Sequence, residues 1–246
     1  MTDLILAIDQ GTTGSTIALM DTGGRLLTSV NHEFPQIFPR PGWVEHDPES
    51  IWQSVLKGLT AIFSDTEYAA SQVAAIGITN QRETVVLWDS QTGQAVHNAI
   101  VWQCRRTTDV CEDLKAAGHE ALIKSKSGLV LDPYFSATKL KWLLDNAPTA
   151  KSLLAEGRLL AGTIDTFLIW RLSNGKVHKT DVSNASRTSL VSLETLDWDG
   201  ELLDIFGVPR DILPEICPSS GRFALTAGVP GLPDALPVSG VAGDQQ

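Results

Sequence analysis

The stretch Leu4-Ile5-Leu6-Ala7-Ile8-Asp9-Gln10-Gly11-Thr12-Thr13-Gly14-Ser15-Thr16-Ile17-Ala18-Leu19-Met20 decides the fold class. It reads as two strands, Leu4 to Asp9 and Ser15 to Met20, joined by a turn rich in Gly and Thr. A third strand, Leu26 to Phe34, follows the turn Asp21-Thr22-Gly23-Gly24. These joins are too short for the crossover that a parallel pair requires, so the three strands form antiparallel hairpins. That argues against a Rossmann start. The turn is not a Walker A loop either, which needs Gly-Lys-Ser/Thr and a following helix.

Further along, a Pro-rich loop runs from Phe34 to Pro48, and Asp47-Pro48 supplies an N-cap and a first-turn proline for a helix. Its apolar residues Ile51, Trp52, Val55, Leu59, Ile62 and Phe63 share one face and form a core stripe. Val73 to Thr79 and Thr84 to Trp88 are expected as buried strands on either side of Asn80-Gln81-Arg82-Glu83. The turn Ser90-Gln91-Thr92-Gly93 and a short strand, Ala99 to Trp102, come next. Helices are expected at about 104–117, 136–146 and 149–156, the second capped by Ser136 with Leu140, Leu143 and Leu144 inward. A strand near Leu159 to Ala161, a helix from Asp165, a hairpin at Asn174-Gly175 and a last strand, Leu236 to Ala242, complete the reading. There is no internal repeat and no low-complexity segment.

A chain of 246 residues has room for one large domain or two small ones. With 43% hydrophobic and 20% charged residues it has the composition of a globular protein, and no apolar run is long enough for a membrane span. A net charge of −10 disfavours nucleic acid and anionic lipid as partners, since both reward a concentrated positive face. Met1-Thr2-Asp3 leads straight into a strand-like run without a basic region, so no leader is expected and the cytoplasm is the expected location. Cys104, Cys111 and Cys217 form no Cys-x-x-Cys pair and read as reduced thiols, and the five histidines show no metal-ligand spacing.

Three places carry residues suited to chemistry. In the first turn, Gly11 and Gly14 let the backbone approach an anion, Thr12 and Thr13 offer hydroxyls and N–H groups to phosphate oxygens, and Asp9 is placed to hold a water on Mg²⁺. Read alone, the same residues are also simply a turn. Next, Asn80-Gln81-Arg82-Glu83 puts four polar groups between buried runs, so they either pair with one another or line a polar cleft. Arg82 and Glu83 offer a forked donor and a carboxylate acceptor, which suits a neutral polyol. Trp102 and Tyr134 are core residues or an aromatic wall against a polyol's carbon skeleton. Lastly, Asp244 follows an apolar strand and is either a turn residue or a base positioned to take the proton of an attacking hydroxyl.

In this order the pieces resemble the FGGY family of carbohydrate kinases. The likeness rests on Asp9-Gln10-Gly11-Thr12-Thr13, Pro41-Gly42-Trp43-Val44-Glu45, Gly77 to Thr84 and Asn98 to Thr107. It continues through Asp132 to Trp142, Ser183-Asn184-Ala185-Ser186-Arg187-Thr188 and Gly243-Asp244-Gln245-Gln246, covering essentially the whole chain. The stretches at Asn80 to Thr84 and Asn98 to Thr107 are similar to the members that phosphorylate glycerol. The resemblance implies an α/β domain of the ribonuclease-H-like, actin-like ATPase type, a mixed sheet with flanking helices. Residues 1–246 would be its N-terminal, polyol-binding half.

By the same resemblance, Arg82, Glu83, Trp102, Tyr134, Asp244 and Gln245 line a glycerol pocket and Asp244 is the base. Asp9 organises Mg²⁺, and Gly11, Thr12 and Thr13 meet the phosphates of ATP. The implied reaction gives sn-glycerol 3-phosphate and ADP. Thr16 stands where an arginine is usual in the family and Gly14 where serine is common, which leaves the phosphates one cation short. The chain stops at Gln246, so the family's nucleotide-binding second domain is expected to be absent and this piece alone to be inactive or nearly so. A kinase for another sugar or polyol and a non-catalytic polyol-binding fragment are the alternatives. Oligomeric state stays open, a homo-oligomer of the full-length enzyme included.

Overall fold

In the computed structural model, which describes residues 3–64 and 66–246, the chain opens as a meander of β1 (Leu4–Gln10), β2 (Gly14–Asp21) and β3 (Leu26–Glu33). Met1 and Thr2, read above as free of a leader, lie outside the described residues. β1 pairs antiparallel with β2 from Leu4↔Asp21 to Gln10↔Ser15, as the short turn requires. Alternation sends Leu4, Leu6 and Ile8 into the core.

After β4 (Glu45–His46), α1 (Pro48–Ala61) begins where the Asp47 carboxylate accepts from the N–H groups of Glu49 and Ser50. Its apolar stripe packs across β2. Gly58 allows this close approach, because a Cβ there would stand 2.4 Å from Ile17 Cγ1.

β5 (Val73–Asn80) lies parallel to β1, whereas β6 (Val85–Asp89) leaves for a second sheet. Residues 80–83 thus carry the chain from one sheet to the other. β7 (Ala99–Ile100), α2 (Thr108–Ala116), α3 (Glu120–Ser127), α4 (Ser136–Asn146) and α5 (Pro148–Ala155) follow. Next, β8 (Leu159–Thr163) pairs antiparallel with β6 and completes a four-stranded sheet ordered β4-β7-β6-β8. α6 (Ile164–Leu172) is buried on all sides except at Arg171, the signature of a helix enclosed by core. Its Phe167, Leu168 and Ile169 join the same apolar cluster as Ile8 of β1 and Trp88 of β6, which ties the two sheets together.

The remainder is β9 (Lys179–Asp181), α7 (Val182–Ala185), α8 (Gly200–Phe206), β10 (Glu215–Cys217), β11 (Ser220–Leu225) and β12 (Pro237–Gly243). β12 returns to run parallel to β5, giving a mixed sheet ordered β11-β12-β5-β1-β2-β3 with helices against it. Its three central strands, β12, β5 and β1, are parallel and end at one edge. A second core cluster joins Val85 and Ile100 to α4, α5 and α8. Among the described residues no helix is long and apolar enough to cross a membrane.

Several local expectations are corrected. Asn174-Gly175 forms no hairpin: both residues take positive φ (53° and 77°) and the Gly175 N–H returns to Trp170 O at 2.8 Å, ending α6. The same left-handed pair serves a hairpin or a helix end, and α6 needs a stop there. Ser136 is not the cap but the first helical residue, with Phe135 at the cap position. Its hydroxyl donates instead to Glu83 O at 3.2 Å. The helix expected from residue 104 starts at Thr108, and the strand expected through Trp102 stops at Ile100.

Candidate functional site

In sheets of this kind, ligand sites form beyond the carboxyl ends of the parallel strands, where loops diverge and backbone groups lack partners. Here the register sets Asp9 beside Thr79 and Thr79 beside Ala242, followed by the row Gln10, Asn80 and Gly243. The next row holds the first turn, the polar tetrad and Asp244, whose N–H donates to Asn80 O at 3.1 Å. Segments from three distant parts of the sequence thereby meet at one edge.

The tetrad divides into two buried pins and two presented side chains. Asn80 and Asn184 exchange amide hydrogen bonds in both directions at 3.0 Å, and Asn184 Nδ2 also donates to Asp181 Oδ1 at 2.8 Å, with all three side chains fully buried. The Ser183 hydroxyl donates to Asp181 Oδ2 and accepts from the Gly243 N–H at 2.9 Å, so this network locates the end of β12. Gln81 donates to Gln10 Oε1 at 3.0 Å and accepts from the Thr84 hydroxyl at 2.9 Å, which fixes the base of the first turn.

Arg82 and Glu83 pair with other residues rather than with each other. Arg82 Nε stands 3.2 Å from Asp244 Oδ1. This is an ion-pair contact without hydrogen-bond alignment, and Nε is otherwise unpartnered. Arg82 Nη1 donates to Gln246 Oε1 at 3.2 Å.

Glu83 is buried, has φ of 60°, and sits at the centre of a three-residue turn closed by the Thr84 N–H to Arg82 O at 2.7 Å. A non-glycine residue in this region is strained, and such strain gathers where a side chain must be aimed. Arg187 Nε donates to Glu83 Oε1 at 2.6 Å. Burial pushes the Glu83 carboxyl up, while Arg187, Arg82 and Lys139 pull it down.

The aromatic residues bridge the remaining parts. Trp102 Nε1 donates to the Thr12 hydroxyl at 3.0 Å, and the Trp102 and Tyr134 rings meet edge to face at 5.6 Å. The Arg187 guanidinium lies 5.6 Å from the Tyr134 ring and 4.9 Å from that of Phe135. Tyr134 is held through its backbone, its N–H on Asp132 Oδ1 at 2.8 Å and its carbonyl on Lys139 Nζ at 2.6 Å. Lys139 also donates to Pro133 O and Phe135 O. Burial draws its pKa down to about 7, yet three acceptors use all three ammonium protons, a set that only the charged form satisfies.

Asp9 is exposed at its tip. Loss of water around its carboxylate, followed by the nearby Asp244 charge, pushes its pKa up. Gly11 spends its own polar groups inside the turn, its N–H on Gly14 O and its carbonyl accepting from Gln10 and Gln81, whereas Thr13 is exposed. Gln245 is exposed beyond Asp244. Cavities of about 870 and 610 Å³ lie elsewhere, one between α6 and the 90–98 turn, the other between the end of α6 and β11.

Sequence reading missed Arg187 and the Asn80–Asn184–Asp181 network as parts of the site. Glu83 and Arg187 are 104 positions apart, and no local pattern joins them.

Beneath the network, Asp165 is fully buried and accepts hydroxyl bonds from Thr163 and Thr180. Burial first, and Asp181 second, push its carboxyl up to about 7. A folded-state pKa above the unfolded value means stability that is full at low pH and lost as pH rises through about 7. The Asp165→Asn variant is therefore expected to lose less stability than the parent between about pH 5 and pH 8, by roughly 2–4 kcal/mol. Urea unfolding at both pH values measures this, and an equal loss in both proteins contradicts it.

The chain matches the sequence model of the N-terminal domain of the FGGY family of carbohydrate kinases over residues 4–246. A glycerol kinase of Bdellovibrio bacteriovorus is 55% identical over 246 residues, which is 100% of this chain and 50% of that protein. Among solved structures, Plasmodium falciparum glycerol kinase with ADP superposes with a TM-score of 0.93 at 36% identity, over 99% of this chain and 49% of that one. Gluconate kinase from Lactobacillus acidophilus gives 0.87 at 25% identity, over 99% and 48%. The chain thus spans about half the length of the curated relatives it matches.

Proposed function

Because the chain belongs to the FGGY family of carbohydrate kinases, with the actin-like fold of that family, we propose that it supplies the polyol-binding half of an ATP-dependent glycerol kinase. Residues 1–246 form one N-terminal domain in this reading. The observation that carries it is the meeting of Arg82 with Asp244, of Glu83 with Arg187, and of Tyr134 with Trp102 at the carboxyl ends of β1, β5 and β12.

A guanidinium and a carboxylate side by side satisfy hydroxyl groups that both donate and accept, while the two rings cover the C–H face of a small triol. Asp244, 3.2 Å from Arg82 Nε, accepts the proton of a terminal hydroxyl as its oxygen bonds to the γ-phosphorus. The bond from that phosphorus to the bridging oxygen of ADP breaks, and ADP leaves with the electron pair. Positioning supplies most of the rate in such a transfer.

The Thr12 hydroxyl accepts from Trp102, so its own proton is free for a phosphate oxygen. This links occupancy of the aromatic wall to the phosphate-facing turn. Thr13 is exposed on the same turn, and Gln245 extends the polyol contacts beyond Asp244.

Asp9 is a hard oxygen donor whose pKa is raised by loss of water and by the nearby Asp244 charge, a repulsion that a cation would relieve, so Asp9 fits Mg²⁺. Among the described residues no cluster of three or more His, Cys, Asp or Glu forms a metal cage. Mg²⁺ bound through one or two carboxylates, phosphate and water needs none, and when bound it would neutralise phosphate charge. Dependence on ATP is consistent with a cytoplasmic location.

Titrating the chain with glycerol, gluconate and xylulose in an isothermal calorimeter tests the polyol assignment. Glycerol is expected to bind at least about tenfold more tightly than either larger compound, since unmatched hydroxyls and a carboxylate would leave buried groups unpaired. A preference for gluconate or xylulose overturns it.

A further inference from the structure

We propose that Arg187 is a positioning residue for polyol recognition, holding one oxygen of Glu83 so that the other faces the substrate as an acceptor. The inference rests on the polyol reading of the site and adds to it a residue from a separate segment.

Four observations support it. Glu83 is 1% exposed and held in a strained left-handed turn, so its carboxylate has little freedom to find another partner. Arg187 Nε donates to Oε1 at 2.6 Å, a charge-assisted hydrogen bond on one oxygen only, while Oε2 is not engaged by Arg187. The guanidinium is itself fixed from the other side, over the Phe135 ring at 4.9 Å and the Tyr134 ring at 5.6 Å. Arg187 follows Asn184, whose amide pair with Asn80 at 3.0 Å locks this segment to the start of the tetrad that carries Glu83. Arg187 therefore touches both the carboxylate and the aromatic wall, and its loss would disturb polyol contacts rather than phosphate contacts.

The charged groups acting on Glu83 are Arg187, Arg82 and Lys139, with burial opposing all three. Arg187 supplies the largest of the favourable contributions, first through its hydrogen bond and then through its charge. Without it, the buried carboxyl holds its proton to higher pH and becomes a weaker acceptor.

The test compares the parent chain with Arg187→Met, Arg187→Lys and Glu83→Gln, using glycerol as the probe between about pH 6 and pH 9. The Glu83 carboxyl is titrated in parallel by carbon-13 NMR without ligand. Glycerol affinity of Arg187→Met is expected to be a few-fold weaker than the parent near pH 6 and to approach it near pH 9. Its Glu83 titration should move to higher pH than the parent's. Arg187→Lys, which keeps the charge but not the planar fork, should show a smaller move of the Glu83 titration than Arg187→Met. A residue that only supports the fold would weaken binding equally at all pH values and leave the Glu83 titration in place.

If Arg187→Met does not fold, Arg187→Gln makes the same comparison, with a donor retained and the charge removed. An unchanged Glu83 titration, or a pH-independent loss, overturns the role of Arg187, and the polyol reading stands if Glu83→Gln still abolishes binding. A raised titration with glycerol affinity unaltered at every pH overturns both.

Discussion

Asn184→Leu is expected to destabilise the chain by about 3–5 kcal/mol, far more than its single side chain would suggest. The substitution is close to isosteric, so packing changes little. What it removes is a set of three buried amide hydrogen bonds: Asn80 Oδ1 is left without a partner, whereas Asn80 Nδ2 keeps Gln81 O and Asp181 Oδ1 keeps the backbone N–H of residue 184. Each lost hydrogen bond contributes only about 1 kcal/mol net, but a buried polar group left without a partner costs about 1–3 kcal/mol, and more when it is charged. Asp181 keeps hydroxyl donors from Ser183 and Ser219, which limits the loss at that end. Urea unfolding followed by far-UV circular dichroism measures the effect, and a loss below about 1 kcal/mol would show that the network is incidental to the fold. Glycerol binding should weaken in parallel, because Ser183 Oγ and Asn80 O locate Gly243 and Asp244.

The second large effect concerns the base. In the active enzyme, Asp244→Asn is expected to slow phosphoryl transfer to glycerol by about a hundred- to ten-thousand-fold while changing glycerol affinity by less than about tenfold. The amide keeps the size of the carboxylate but cannot accept the proton, and Arg82 loses its 3.2 Å counter-charge. Binding survives because Glu83, Trp102 and Tyr134 remain. Steady-state kinetics from ADP release separates the two quantities. A kcat within about tenfold of the parent would remove Asp244 from the chemistry.

The parts of this architecture legible in the sequence are those fixed by short-range physics. Three strands with short joins can only form hairpins, and Asp47-Pro48 starts a helix wherever an amphipathic run follows. The tetrad at 80–83 also announced itself, because four polar residues between buried runs must have partners or a ligand. What could not be read locally is which sheet each strand joins. Val85–Asp89 follows β5 closely, yet it pairs with Leu159–Thr163, far along the chain.

The site divides in the same way. Asp9, Arg82, Glu83 and Asp244 stand at strand ends, where chemistry-bearing residue types are conspicuous. Arg187 comes instead from a short helical segment after β9, and its partner is set by tertiary packing alone. Asn174-Gly175 shows the limit of a strong local signal. Two residues with positive φ specify a reversal, and only the partner of the following segment decides whether that reversal closes a hairpin or ends a helix.

The account depends most on the claim that one polyol touches both the aromatic wall and the Arg82–Glu83 corner. Intermolecular nuclear Overhauser effects between carbon-13-labelled glycerol and this chain test it directly. The predicted result is contacts from the glycerol C–H protons to the rings of both Trp102 and Tyr134, abolished together in Glu83→Gln. Saturable glycerol binding with contacts instead to Trp170 and Phe167, in the larger cavity beside α6, would contradict it.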